Sequence, residues 1–215
     1  MARDLELFAK RVLDIAGAAV GLIVSSPAIV GAAVAVAISM GRPVLFRHVR
    51  PGLNGQLFTL YKFRTMHPAR EGEVYFRTDK DRLTPVGRFL RRTSIDELPE
   101  LWNVLRGEMS LVGPRPLLVE YLPRYTAEHA KRHDVRPGIT GWAQVNGRQA
   151  IPFSTRLDLD RWYVEHWSLW LDVKILMRTA RDVFRRSGVI PGQDVDDVDD
   201  LGLARDDHGD DAPTR

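Results

Sequence analysis

The sequence has no cysteine, which removes disulfides, thiol nucleophiles and Cys-ligated zinc together and fits a reducing compartment. It also lacks a G-x-x-x-x-G-K-[ST] loop, a G-x-G-x-x-G turn after a strand, and the H-E-x-x-H metalloprotease pair. The G-x-S-x-G nucleophile elbow is missing as well. No repeat of solenoid or propeller length is present. These absences set aside most nucleotide-binding, protease and hydrolase chemistry that a short motif can announce.

Charge is present but unevenly placed. The stretch 192–215, "GQDVDDVDDLGLARDDHGDDAPTR", has nine Asp, two Arg and no Lys or Glu, a net of −7 in a chain whose total is +3. The body is therefore basic and suits an anionic partner: nucleic acid, an anionic membrane or a phosphorylated substrate. The tail, poor in large apolar residues and self-repelling, reads as disordered.

A long apolar run begins at Val12. Residues 12–40, "VLDIAGAAVGLIVSSPAIVGAAVAVAISM", carry one charge, Asp14. A bilayer core of ~30 Å needs ~20 helical residues, so the run is long for one crossing and short for two. Ser25, Ser26 and Pro27 lie at its middle. Pro27 lacks an N–H and bends a helix; the Ser26 hydroxyl is placed to satisfy the carbonyl this frees near Ile23. Basic residues stand at both ends, Lys10 and Arg11 before, Arg42 and Arg47 after. Two readings follow, a single kinked span and a re-entrant hairpin with both ends on the cytoplasmic side.

Beyond Gly41, "PVLFRHVRPGLNGQLFTLYKFRTM" reads as a β-hairpin with a Gly/Asn turn, and Lys62 and Arg64 alternate with aromatics so that both project from one face. "HPAREGEVYFRTDKDR" reads as a polar loop. "TPVGRFLRRTS" and "ELPELWNVLRG" read as short helices, the second closed by Gly107. "HDVRPGITGWAQVNGR" reads as a glycine-rich loop. Residues 168–188 form an amphipathic helix with Leu169, Val173, Leu176, Met177, Ala180, Val183 and Phe184 on one face. That face is either core or a surface lying in a membrane interface.

The acidic pair Asp96–Glu97 stands among cations. As a local pattern, Asp96 reads as an N-cap with Pro99 in the first turn, and Ser94 with Glu97 fits a capping box. A carboxylate there, ionised by the helix dipole, is also available as an oxygen nucleophile. Glu97 can hold Mg²⁺, which uses one or two carboxylates plus phosphate oxygens. Lys62, Arg64, Arg91, Arg115, Arg136 and Arg148 are candidate clamps for phosphate or nucleotide. Together these describe phosphoryl transfer through an aspartyl phosphate. Two rivals remain. "RLDLDRW" offers a D-x-D pair, Asp158 and Asp160, of the kind that holds a metal in sugar-transferring enzymes, though it reads as helical. A membrane-anchored scaffold or nucleic-acid binder would use the basic surface and leave the acidic pair without a role.

The blocks "KFRTM", "RFLRRTSIDELPELWNVLRGEMSLVGPRPL", "RPGITGWAQVNGR" and "WSLWLDVKIL" resemble the bacterial sugar transferase family, the monotopic polyprenol-phosphate phosphoglycosyl transferases, over about residues 10–187. The resemblance is to the small members made of the catalytic unit alone. It implies an α+β, mostly helical, monotopic membrane protein: a re-entrant helix hairpin broken at Ser26-Pro27 (residues 1–41), a catalytic domain with a short β-hairpin and several amphipathic interfacial helices (42–191), and an acidic tail (192–215) with no family counterpart. It implies the cytoplasmic face of the bacterial inner membrane, with membrane lipid as a neighbour and no nucleic-acid partner. Asp96 would take the phosphosugar of a UDP-sugar, releasing UMP, and pass it to polyprenyl (undecaprenyl) phosphate, the first membrane step of polysaccharide or glycoconjugate assembly. Glu97 would bind Mg²⁺, and Arg91 and Arg115 phosphate. Which sugar, which polymer and whether a homodimer forms stay open.

Overall fold

The computed structural model describes residues 2–68, 82–147, 151–184 and 199–201. Most of the polar stretch 67–82, Arg148, and the acidic tail apart from 199–201 lie outside the described residues.

The apolar run forms a single helix, α1 (Ala2–Met40), with Pro27 inside it. The predicted compensation at the proline is present: the Ser26 hydroxyl donates to the Ile23 carbonyl at 2.8 Å. Ser25 does the same for Gly21 at 2.5 Å. One narrow stripe of α1 is buried, Asp14, Ala18, Ala32 and Val36 among it. Much of the rest is bare hydrocarbon, with Ile23, Val24, Val30 and Ile38 all more than half exposed. It is the one helix among the described residues long and apolar enough to cross a membrane.

Both ends of α1 are fastened to the same body. Lys10 Nζ donates to the Val112 carbonyl at 3.0 Å and pairs with Asp172 at 2.6 Å. Arg11 donates to the carbonyls of Val104 and Leu105 at 2.7 and 2.9 Å. Asp14, the lone charge of the run, accepts from Ser110 Oγ and the Leu111 amide at 3.0 and 2.9 Å. At the far end, Arg64 donates to the carbonyls of Met40 and Gly41, satisfying groups that a helix C-terminus leaves open.

The hairpin forms as read: β1 (Leu45–Pro51) pairs antiparallel with β2 (Leu57–Phe63), through a turn in which Asn54 is left-handed at φ 54°. Helix α2 (Pro85–Thr93) starts at Thr84, whose side chain accepts from the Gly87 amide. Helix α3 (Glu100–Arg106) ends at Gly107 with φ 84°, a conformation glycine adopts without strain.

The stretch expected to be loop is more ordered than its glycines suggest. Strand β3 (Ser110–Val112) pairs in parallel with β4 (Gly138–Thr140). After single-turn helix α4 (Ala127–Ala130) and β4 comes α5 (Trp142–Asn146). Gly113 and Gly138 let the two backbones meet; a Cβ on Gly138 would fall 2.1 Å from the Gly113 nitrogen. Three-residue strands have too little pattern to declare themselves in sequence.

Helices α6 (Phe153–Glu165) and α7 (Leu169–Phe184) close the fold. On α7 the inward residues are Leu171, Asp172 and Ile175, whereas Val173, Met177 and Val183 are exposed beside Trp170. Much of the expected apolar face therefore points outward and is not core. Asp200, in the stretch read as disordered, accepts from the Ser154 amide at 3.0 Å and from its hydroxyl at the start of α6.

Candidate active site

Asp96 does not cap a helix. Ser94 turns left-handed at φ 56°, ψ 18° and ends α2; Ile95–Glu97 then form a 3₁₀ turn without a side-chain cap, and α3 begins behind Pro99, also uncapped by a side chain. The capping-box reading is corrected by this extra turn. It places the Asp96 carboxyl in a buried position among Lys62, Arg91 and Arg115, whose charges all act on it. Burial, reinforced by Glu97, raises its pKa in spite of these cations. The expected stabilisation of the anion by a helix dipole is thus not what governs this group; desolvation is.

Glu97 is the opposite case. Its Oε1 accepts from Lys62 Nζ at 2.8 Å and from Arg115 Nη2 at 2.6 Å. Burial opposes ionisation, but Arg115 and Lys62 outweigh it and hold this carboxyl well below the usual carboxylate range. Adjacent carboxylates pushed in opposite directions are the signature of a site that assigns them different tasks.

Lys62 reaches this site from the last turn of β2, and a third acid meets it there. Glu100, on the first turn of α3, is almost wholly buried, with Oε1 2.9 Å from Lys62 Nζ. The contact has ion-pair distance without hydrogen-bond alignment. Burial carries the Glu100 carboxyl up to about 7, against the pull of Lys62. Sequence reasoning missed Glu100; the spacing Glu97-x-x-Glu100, one helical turn, was the available signal.

The other cations divide. Arg91, in the last turn of α2, donates to Thr65 Oγ1 at 3.1 Å and acts electrostatically on Asp96. Arg115 is held by its own backbone: Arg132 Nη2 donates to the Arg115 carbonyl at 2.6 Å, and Arg132 is paired with buried Asp160 at 2.8 Å. Arg64 and Arg136 serve elsewhere. Arg64 sits on the end of α1, and Arg136 donates to the Gly107 carbonyl at 2.8 Å beside Arg11. Among the described residues, neither forms a hydrogen bond or ion pair with Asp96, Glu97 or Glu100. Arg148 lies outside the described residues. The D-x-D pair is split, for Asp158 is exposed beside Arg161 while Asp160 is spent on Arg132.

A buried aspartate flanked by a glutamate, inside an arc of two arginines and a lysine, is an arrangement able to neutralise phosphate oxygens. Residues 5–186 match the family described as bacterial sugar transferase. The chain belongs to the bacterial sugar transferase family. This transferase is 52% identical over 180 residues to the sugar transferase EpsL of Bacillus subtilis, covering 84% of the present chain and 89% of EpsL. It is 44% identical over 183 residues to the UDP-glucose:undecaprenyl-phosphate glucose-1-phosphate transferase of Caulobacter vibrioides, covering 80% of this chain and 68% of that one. It is 40% identical over 205 residues to the undecaprenyl-phosphate galactose phosphotransferase of Salmonella typhimurium, covering 87% of this chain but 43% of the longer relative.

Among the described residues there is no group of three or more His, Asp or Glu arranged to hold a metal. Mg²⁺ commonly asks for less than such a group, one or two carboxylates with substrate phosphates completing the shell.

Proposed function

We propose that this transferase moves a sugar phosphate from a UDP-sugar to polyprenyl phosphate, through a phosphosugar carried on Asp96. The observation that carries the reading is the pairing of a poorly solvated Asp96 with Arg91, Arg115 and Lys62 around it; the named activities of its relatives support the choice of donor and acceptor. An Asp96 oxygen bonds to the β-phosphorus as the bond from that phosphorus to the oxygen bridging to the α-phosphorus breaks, and the bridging oxygen leaves with UMP. An oxygen of polyprenyl phosphate then bonds to the same phosphorus. The aspartyl–phosphorus bond breaks, which restores the carboxylate and gives polyprenyl-diphosphate-sugar. No proton need move in either step.

Arg91 and Arg115 neutralise the charge that builds on the transferring phosphoryl oxygens. Glu97, with Asp96, would hold Mg²⁺, which supplies further neutralisation of the diphosphate. Lys62 and Arg115 fill one oxygen of Glu97 and fix the carboxylate's direction.

The fastening of α1 supports a membrane reading in which both of its ends stay on one side. A single crossing would separate its ends by the ~30 Å of a bilayer core, yet Lys10 and Met40 are both bonded to one catalytic body. The exposed apolar middle, around Ile23 to Val30, is then the part that dips into the bilayer, with Pro27 as the point where the helix bends. The body sits on the cytoplasmic face, where a soluble nucleotide sugar and a lipid phosphate can meet.

The test is the nucleotide released by the membrane-bound protein given polyprenyl phosphate, Mg²⁺ and a panel of UDP-sugars. UMP is expected, with Asp96→Asn losing it by ~10³-fold or more while remaining folded. Release of UDP instead would mean attack at the sugar carbon and would remove Asp96 from its role.

A further inference from the structure

Lys62 stands near three acids and pairs with two of them. Its Nζ lies 2.8 Å from Glu97 Oε1 and 2.9 Å from Glu100 Oε1. Its charge also acts on Asp96, yet among the described residues the Asp96 carboxyl forms no hydrogen bond or ion pair with it. For a nucleophile that separation matters. An ammonium bonded to Asp96 would occupy the oxygen lone pairs that must reach phosphorus.

The restraint on Lys62 is built into the frame. A lysine ammonium is a compact charge on a flexible four-carbon stem, so its position is set by the acids that hold it. Glu97 is the looser of the two holders. Its Oε1 is shared with Arg115 at 2.6 Å, and its side chain is 21% exposed against 2% for Glu100. Glu100 is fixed through its helix. It lies on the first turn of α3, and Asn103 of the same helix stitches α3 to β2 on both sides of Lys62. The Asn103 Oδ1 accepts from the Tyr61 amide at 3.2 Å, and its Nδ2 donates to the Thr59 carbonyl at 2.7 Å. Asn103 is itself wholly buried, so strand and helix cannot slide past each other. A buried carboxyl is costly, and its charge works against binding an anionic diphosphate. The lysine it holds supplies a reason for its place.

We propose that Glu100 is a positioning residue: it holds Lys62 on Glu97 and off Asp96, so that the nucleophile feels the cation without being tied to it. The proposal rests on the reaction inferred above for the role of Asp96.

The experiment follows the first half of that reaction alone. Full-chain protein in nanodiscs receives Mg²⁺ and the UDP-sugar giving the largest release in the panel above, without polyprenyl phosphate. The burst of UMP is timed at about pH 8, above the value near 7 where Glu100 ionises. Glu100→Gln keeps the shape and removes the charge. It is expected to slow the burst at saturating UDP-sugar ~10-fold or more, with the half-saturating concentration little changed and thermal melts at or above the parent's. A slower enzyme that is no less stable is not explained by a damaged fold. Lys62→Met gives an independent reading: the double variant with Glu100→Gln should be no slower than Lys62→Met alone, because Glu100 acts through the ammonium. A full-rate burst in Glu100→Gln, a loss confined to the half-saturating concentration, a lowered melt, or losses that multiply in the double variant would each overturn the proposal. A parent that releases UDP discards the reaction and the restraint together, whereas a parent that releases UMP beside a full-rate Glu100→Gln discards the restraint alone.

Discussion

Arg132 holds Arg115 by its backbone and not by its charge: one guanidinium nitrogen donates to the Arg115 carbonyl at 2.6 Å, and the same nitrogen lies 2.8 Å from the buried Asp160 carboxylate. Arg115 in turn reaches Glu97 at 2.6 Å. A buried ion pair between α6 and the turn after α4 thus fixes a loop whose side chain enters the active site. Pro114 and Pro116 on either side stiffen the loop further.

This linkage separates stability from activity. Arg132→Ala leaves Asp160 buried and unpaired and should cost about 3–5 kcal/mol in denaturant melts. Replacing both partners, Arg132→Met with Asp160→Leu, should recover most of that stability. UMP release should stay low in the double variant, because the Arg115 carbonyl has lost its anchor. Full recovery of both would make the pair purely structural.

Glu100 should impose a pH dependence on folding. Burial holds its carboxyl up at about 7 in the fold, against the ordinary glutamate value of about 4.5. The folded state therefore holds a proton that the unfolded chain has released, so the group's contribution is most favourable below pH 4.5 and declines as pH rises toward 7. Glu100→Gln removes the decline. Thermal melts should show the variant gaining on the parent between pH 5 and 7, by up to ~3 kcal/mol. A difference that is constant across this range would contradict the raised pKa.

Gly87 marks the tightest approach of α2 to the chain after β2. A Cβ there would sit 1.9 Å from the Thr65 carbonyl oxygen. Gly87→Ala must push α2 outward, and with it Arg91, which bonds Thr65 Oγ1. A displacement of this size is expected to lower kcat ~10²-fold, with the affinity for Mg²⁺, read from the titration of activity, changed far less.

The absence of cysteine gives a clean test of topology. Single cysteines placed at Glu6 and Arg42 would be the only thiols in the chain. In intact spheroplasts neither should react with a membrane-impermeant maleimide, and in inside-out vesicles both should. Labelling of either from outside would make α1 a single crossing.

Much of this protein was legible before its fold. The hairpin, α2, α3 and α7 follow from alternation, helical period and the closing glycine, and the Ser26–Ile23 bond follows from what Pro27 cannot supply. Asp96, Glu97, Lys62, Arg91 and Arg115 were all named from pattern and charge. Their arrangement was not legible, because it depends on groups far apart in the chain. The sequence could not show that Arg64 and Arg136 close helix ends, since a cation seeking a carbonyl and one seeking a phosphate are the same residue until a partner is placed. Nor could it show Glu100: a buried glutamate beside a lysine looks, as letters, like any solvated helix charge. The left-handed Ser94 turned an expected cap into a buried carboxyl. Local chemistry lies in the sequence, whereas desolvation, which sets the opposite behaviour of Asp96 and Glu97, is a property of what packs around them, and only the tertiary structure supplies it.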